Sequence, residues 1–173
     1  MTEQANNPLP AINLVRATRE QAPILGNLLE LYAHDLSACA HLDIGEDGRF
    51  AYKSLPLYWS EPNRHPFLVK IDGKLAGLVL VKRGSEVSGD RTVWDMAEFF
   101  ILRRYRRHGF GTLAAHEVWK RCAGRWEVRV MQSNRPASLF WERAISDFTG
   151  ESIRPVNVEI DGRSWQLFSF ESE

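Results

Sequence analysis

Cysteine is scarce in this chain. Of 173 residues only Cys39 and Cys122 are cysteine, and they stand far apart with no metal-ligand spacing around them. A disulfide scaffold and a cysteine-based zinc centre are therefore not expected, and no other metal site is read from the sequence. Net charge is missing too, because 22 Lys and Arg offset 22 Asp and Glu. A protein that holds nucleic-acid phosphates through a basic face usually carries an excess of cations, so no nucleic-acid partner is expected. No apolar run approaches the roughly 20 residues of a bilayer-spanning helix, which argues against a membrane partner. The opening, Met1 to Pro10, is polar with two prolines and reads as a loose tail rather than a secretory leader. Together with the two thiols it points to a reducing, cytoplasmic setting.

What is present is a globular composition, 44% hydrophobic and 25% charged, in a length that suits one domain. Leu14 to Arg16 reads as a first strand. Thr18 followed by Gln21 is a capping-box start, and Ile24, Leu25, Leu28, Leu29 and Tyr32 recur at helical spacing to about Asp35. Ser37 to Pro66 is an irregular, aromatic-rich excursion with a short helix, of a length that usually shapes a site. Phe67 to Ile71 and Lys74 to Lys82 flank Asp72-Gly73, a hairpin signal. Val93 to Leu102 (VWDMAEFFIL) reads as a central strand. A helix over Gly109 to Arg121, a strand over Trp126 to Met131, and a helix from Pro136 to about Ile145 follow. Val156 to Ile160 and Ser164 to Phe170 flank a second turn, Asp161-Gly162. The order predicts an α/β fold on one mixed sheet.

Arg106-Arg107-His108-Gly109-Phe110-Gly111 lies between the strongest strand and a helix. The two glycines allow close backbone approach, and the opening turn of the helix offers unpaired amides to an anion. The amides dominate: a hydrogen bond to a charged group contributes about 1.5–3 kcal/mol, against roughly 0.3–1 kcal/mol for the helix dipole. Three uses fit this segment. It is a solvated turn, a dinucleotide fingerprint (Gly109-x-Gly111-x-x-Ala114, with Glu127 downstream), or a site for the pyrophosphate of an acyl-CoA. The dinucleotide use is disfavoured because Arg103 to His108 separate the glycines from the strand.

Phe99 to Gly111 (FFILRRYRRHGFG) resembles the signature of the GNAT superfamily of acetyl-CoA-dependent N-acetyltransferases, with Arg106, Gly109 and Gly111 in its defining places. Trp126 to Met131, then Asn134-x-x-Ala137 and Phe140-Trp141, resembles the second signature; bacterial members of uncharacterised substrate carry a similar WEVR-x-x-x-x-N-x-x-A-x-x-FW segment. The resemblance implies a single N-acetyltransferase domain over residues 12–173 after a tail at 1–11, on a mostly antiparallel sheet splayed at its fourth and fifth strands. It implies acetyl-CoA as cofactor, with Phe100, Ile101 and Leu102 along its arm. Arg106, Arg107, His108, Gly109, Phe110, Gly111 and Thr112 would surround the pyrophosphate, and Asn134, Ala137 and Phe140 would line the far side. The expected partner is a small-molecule or peptide amine, and a homodimer is common in the family.

Amine attack on a thioester needs a neutral amine. With a pKa of ~10.4, only about one lysine-like amine in a thousand is neutral at pH 7, a cost of about 4.6 kcal/mol. A carboxylate base, acting directly or through water, relieves it. Glu98 interrupts an apolar strand and is the first candidate; Asp95 is its rival. An odd spacing puts the two on opposite faces of a regular strand, and a bulge would reverse that. Tyr32, Asp35, Tyr58 and Trp59 are candidate acceptor-pocket residues. Where family members place a tyrosine general acid, this chain has Trp141, whose indole donates only a hydrogen bond. Solvent, Ser138 or Tyr105 could stand in. The alternative is a catalytically silent module that binds CoA or another anion.

Overall fold

A computed structural model describes residues 10–173. The expected tail at 1–11 lies outside the described residues except for its last two positions. The elements are β1 (Ile12–Arg16), α1 (Ala22–Ala40), α2 (Leu57–Ser60), β2 (Arg64–Ile71), β3 (Lys74–Arg83), β4 (Trp94–Ile101), α3 (Phe110–Arg121), β5 (Gly124–Met131), α4 (Arg135–Thr149), β6 (Val156–Ile160) and β7 (Arg163–Ser172). They form one seven-stranded sheet in the order β1-β2-β3-β4-β5-β7-β6. All pairs are antiparallel except β4–β5.

Both hairpin turns follow from their sequences. Asp72 and Gly73 have φ of 48° and 76°, and Asp161 and Gly162 have 51° and 70°. Two successive left-handed residues make the tight turn whose twist matches paired strands. The capping box forms as read: Thr18 N–H donates to Gln21 Oε1 at 3.0 Å. It opens a short 3-10 turn, and α1 follows. That helix runs five residues past its expected end at Asp35, stopping at left-handed His41.

Helices cover both faces. On one, α3 and α4 pack Trp119, Trp141 and Ile145 against Val79, Trp126 and Phe168. On the other, α1 and α2 pack Leu25, Leu29 and Tyr58 against Leu68, Leu80 and Phe100.

Two irregularities position the site. Leu80 pairs with Glu98 but Val81 with Met96, so Ala97 is an extra residue, a β-bulge. Trp94, Met96, Phe99 and Ile101 then face α3 and α4. Asp95 and Glu98 both face the α1 side. The parity expected of a regular strand is reversed. Second, β4 and β5 pair only at Trp94↔Trp126 and Asp95↔Glu127. Beyond those pairs the strands diverge, as the splayed architecture requires.

Gly77 sits where β3 supports the diverging part of β4. A Cβ there would lie 2.0 Å from the carbonyl oxygen of Phe100. Backbone has to move to admit it. Gly77→Ala is expected to destabilise the fold by about 1–3 kcal/mol, the usual range for overpacking; urea unfolding measures it, and an unchanged midpoint would show that β3 and β4 separate freely.

Candidate active site

The gap between β4 and β5 opens into a groove of about 1110 Å³. Its walls come from the end of β4 (Phe99, Phe100, Ile101), the β4–α3 loop, the start of α4, and α1. Strand alternation decides which backbone groups face it. The Leu102 amide turns toward β3 and donates to Ala76 O at 2.8 Å. Leu102 is thus not a free donor, and the outward-facing groups belong to Phe99 and Ile101.

At the mouth of the groove the chain turns through Arg107 (φ 63°) and Gly109 (φ 80°) into α3. No protein acceptor takes the amide hydrogens of Gly109, Phe110, Gly111 or Thr112 among the described residues. These are the orphan donors of a helix start, and here they face the groove mouth rather than a capping side chain. Gly111 is tightly placed: a Cβ would come within 3.1 Å of the Phe140 ring, which would have to give by a few tenths of an ångström. Phe140 stacks on Phe99, with ring centroids 5.7 Å apart, so the ring that closes the groove is held by both banks. The Phe110 side chain is buried in the core, and only its backbone reaches the loop's outer surface. His108 is exposed, with Nδ1 2.7 Å from Arg106 O.

Arg106 serves the fold first. Its Nε donates to Ile101 O at 2.6 Å, and its Nη2 lies 2.5 Å from Asp35 Oδ2. Arg103 Nη2 meets Asp35 Oδ1 at 2.7 Å. Burial opposes ionisation of Asp35, but hydrogen bonds from Arg106 and Arg103 prevail and hold its carboxyl below the usual range. Asp35 lines the groove, as a pocket residue should, yet both oxygens are already engaged. One turn on, Ser133 Oγ donates to Cys39 O at 3.1 Å. Helix α1 is thus fastened to the β4–α3 loop at one end of that turn and to the β5–α4 turn at the other. Asn134 caps α4, its Oδ1 accepting from Ala137 N at 3.3 Å. Arg107, Arg135 and Arg143 line the groove, and no carboxylate lies within ion-pair distance of them among the described residues.

Glu98 is half-buried on the α1 side of β4. Burial pushes its carboxyl up to about 7; hydrogen bonding with Tyr32 and Tyr52 works against that rise, and the charge of Asp95 adds to it. The phenols of Tyr32, Tyr52 and Tyr58 are all raised above their ordinary range, chiefly by burial. They stay protonated at neutral pH. Tyr32 also lines the groove, and its ring lies 5.6 Å from that of Phe100. Tyr58 is buried with its hydroxyl unpartnered, and Trp59 Nε1 donates to Ala17 O at 3.1 Å. Trp59 thus spends its polar atom on the fold. Trp141 packs edge-on against Phe99 at 4.9 Å, and Ser138 is buried. Sequence reasoning missed Arg129, Arg135 and Arg143. A basic residue on an amphipathic helix or strand looks solvated until its neighbours are placed.

A sheet that parts beside a loop of unpaired helix-start amides is the architecture of the acyl-CoA N-acyltransferases. The chain belongs to the GNAT acetyltransferase family, whose family model, "Acetyltransferase (GNAT) family", matches residues 28–145. Solved structures agree in fold. An acetyltransferase from Thermus thermophilus is 17% identical, with a TM-score of 0.67 over 93% of this chain and 97% of that one. Arabidopsis thaliana NAA60, solved with a bisubstrate analogue, is 18% identical, with a TM-score of 0.61 over 93% and 98%. Spermidine N-acetyltransferase SpeG from Vibrio cholerae is 12% identical, with a TM-score of 0.60 over 93% and 94%. No match is found among the curated proteins. Among the described residues no helix is long and apolar enough to cross a membrane.

Proposed function

We propose that this protein transfers the acetyl group of acetyl-CoA to a primary amine by direct attack, with Glu98 as general base. The observation that carries the proposal is the run of unpartnered amides at Gly109–Thr112 standing where β4 leaves β5. Neutral donors fixed by a helix start suit a diphosphate, and Arg107, Arg135 and Arg143 lie around the same groove with no carboxylate in ion-pair distance among the described residues. Phe99 and the Ile101 amide offer the strand-edge groups along which an extended arm would lie, the Ile101 carbonyl being held by Arg106, with Phe140 across from them. Acetyl-CoA, when bound, supplies the activated acetyl thioester; the rest of the chemistry belongs to side chains of this chain.

Glu98 takes the proton of the acceptor ammonium, directly or through water. A base whose carboxyl is poised at about 7 is well matched to neutral pH. Tyr32, kept protonated and lining the groove, is the side chain we assign to protonate the departing thiolate, a part that Trp141 cannot play. Tyr32 lines the groove and Tyr52 stands with it beside the Glu98 carboxylate, a setting that suits a small cationic amine; Tyr58 belongs to the buried core. A peptide terminus is the other acceptor considered. Spermidine and the bisubstrate analogue belong to the relatives described above. Two unpaired thiols, Cys39 and Cys122, fit a cytoplasmic setting.

The test has two arms. Saturating acetyl-CoA should raise the melting temperature, and a panel of amines should release free CoA thiol. An unmoved transition removes the proposal. Binding without thiol release from any amine favours a silent CoA-binding module, the reading that Trp141 in place of a tyrosine supports.

A further inference from the structure

Asp95 has no task in the mechanism above, and its surroundings are expensive. It is 1% exposed. Its Oδ2 lies 3.2 Å from Arg129 Nη2 and 3.6 Å from Lys82 Nζ. Its Oδ1 is buried with no hydrogen-bond partner. A half-satisfied buried carboxylate destabilises a fold relative to an apolar residue of similar size. Arg129 continues the chain of charges outward, with Nη1 2.9 Å from Glu86 Oε2. Glu86 also meets Lys82 and is 58% exposed. This ladder runs from solvent to a point one bulge away from Glu98, on the same face of β4.

The groups facing Glu98 can be counted by element. Helix α1 presents Tyr32, the segment before α2 presents Tyr52, and α2 presents Tyr58. From the sheet, β3 presents Lys82, β4 presents Asp95 and β5 presents Arg129. The three phenols are neutral. Among the described residues the charges that bear on Glu98 are those of Asp95 and Arg129, with Lys82 paired to Asp95 behind them. The bulge at Ala97 makes this possible, since without it Asp95 would face α3 and α4.

We propose that Asp95 and Arg129 are positioning residues whose ion pair tunes, across the bulge, the proton affinity that burial gives Glu98. The inference rests on the reading of Glu98 as the base. Burial does most to raise the Glu98 carboxyl; the charge of Asp95 adds to the rise and Arg129 limits it. Without Asp95, the cations act on Glu98 uncancelled. It stays ionised to lower pH and becomes a weaker acceptor of protons.

The experiment measures two things across pH for Asp95→Asn and Arg129→Gln: the acid limb of kcat/KM for an amine acceptor, and the titration of Glu98 itself. The second uses 13C-glutamate labelling and NMR, with Glu98→Gln assigning the resonance. In Asp95→Asn both are expected to move down by about one pH unit, the size of a nearby partly screened charge. In Arg129→Gln both should move up. Movement in the same direction, or no movement in Asp95→Asn, overturns the inference, because loss of a merely structural pair lowers activity without parting the two profiles. Should Asp95→Asn fail to fold, the sign in Arg129→Gln decides: upward supports, downward or none overturns. Opposite shifts in the NMR titration with an unmoved rate limb uphold the coupling while removing Glu98 as the base.

Discussion

Gly109→Val should abolish the thermal shift produced by acetyl-CoA. Gly109 stands at φ 80°, a conformation that costs a non-glycine residue about 1–3 kcal/mol and a β-branched one the most. No atom lies within 4 Å of where its Cβ would be. The effect is therefore conformational: relief of strain at this residue turns the amides of Phe110, Gly111 and Thr112 out of register. At a ligand concentration near 100 times Kd the wild-type protein gains about 2.7 kcal/mol, a shift of roughly 5–10 °C for a chain of this size. Gly150 provides the control. It has φ 72°, equal openness, and a place at the far end of α4. Gly150→Val should lower the melting temperature of the free protein similarly and keep the acetyl-CoA shift. If Gly109→Val retains the shift, the amides of this loop do not hold the cofactor.

Glu98→Gln should cut kcat by roughly 10²–10⁴-fold, the usual worth of a general base, and leave the acetyl-CoA shift in place. Glutamine keeps the shape and loses the proton acceptor. The sign of the pH dependence follows from the raised carboxyl. Glu98 works ionised and titrates at about 7, so wild-type activity should be high above that pH and fall tenfold per unit below it. Initial rates from pH 5.5 to 9 check both points. The acid limb should vanish in Glu98→Gln. Full activity in that variant removes Glu98 from the mechanism, and an acid limb that survives in it belongs to another group.

The order of elements was legible in the sequence because its signals are local. Asp72-Gly73 and Asp161-Gly162 are turn dipeptides, Thr18 and Gln21 pair three residues apart, and the glycines at 109 and 111 mark a backbone that must bend and approach closely. The features that set the chemistry are not local. Nothing in VWDMAEFFIL marks Ala97 as the residue that β3 skips; that depends on cross-strand pairing. Sequence spacing alone put Asp95 and Glu98 on opposite faces, and one unpaired residue brought them together. The engagement of Arg106 by Asp35 joins residues 71 positions apart, so an arginine read as a phosphate ligand is also a brace for α1. The pairing of Arg129 with Asp95, 34 positions apart, escaped notice for the same reason.

The bracing of α1 also bears on why the sheet stays open. Past Asp95 and Glu127, β4 and β5 present bare edges to each other, and such edges attract any strand, including one another. Asp35 and Cys39 are four residues apart on the helix, about 6 Å along the axis, and each is moored to a different side of the slot. The helix works as a strut between two banks that would otherwise zip shut.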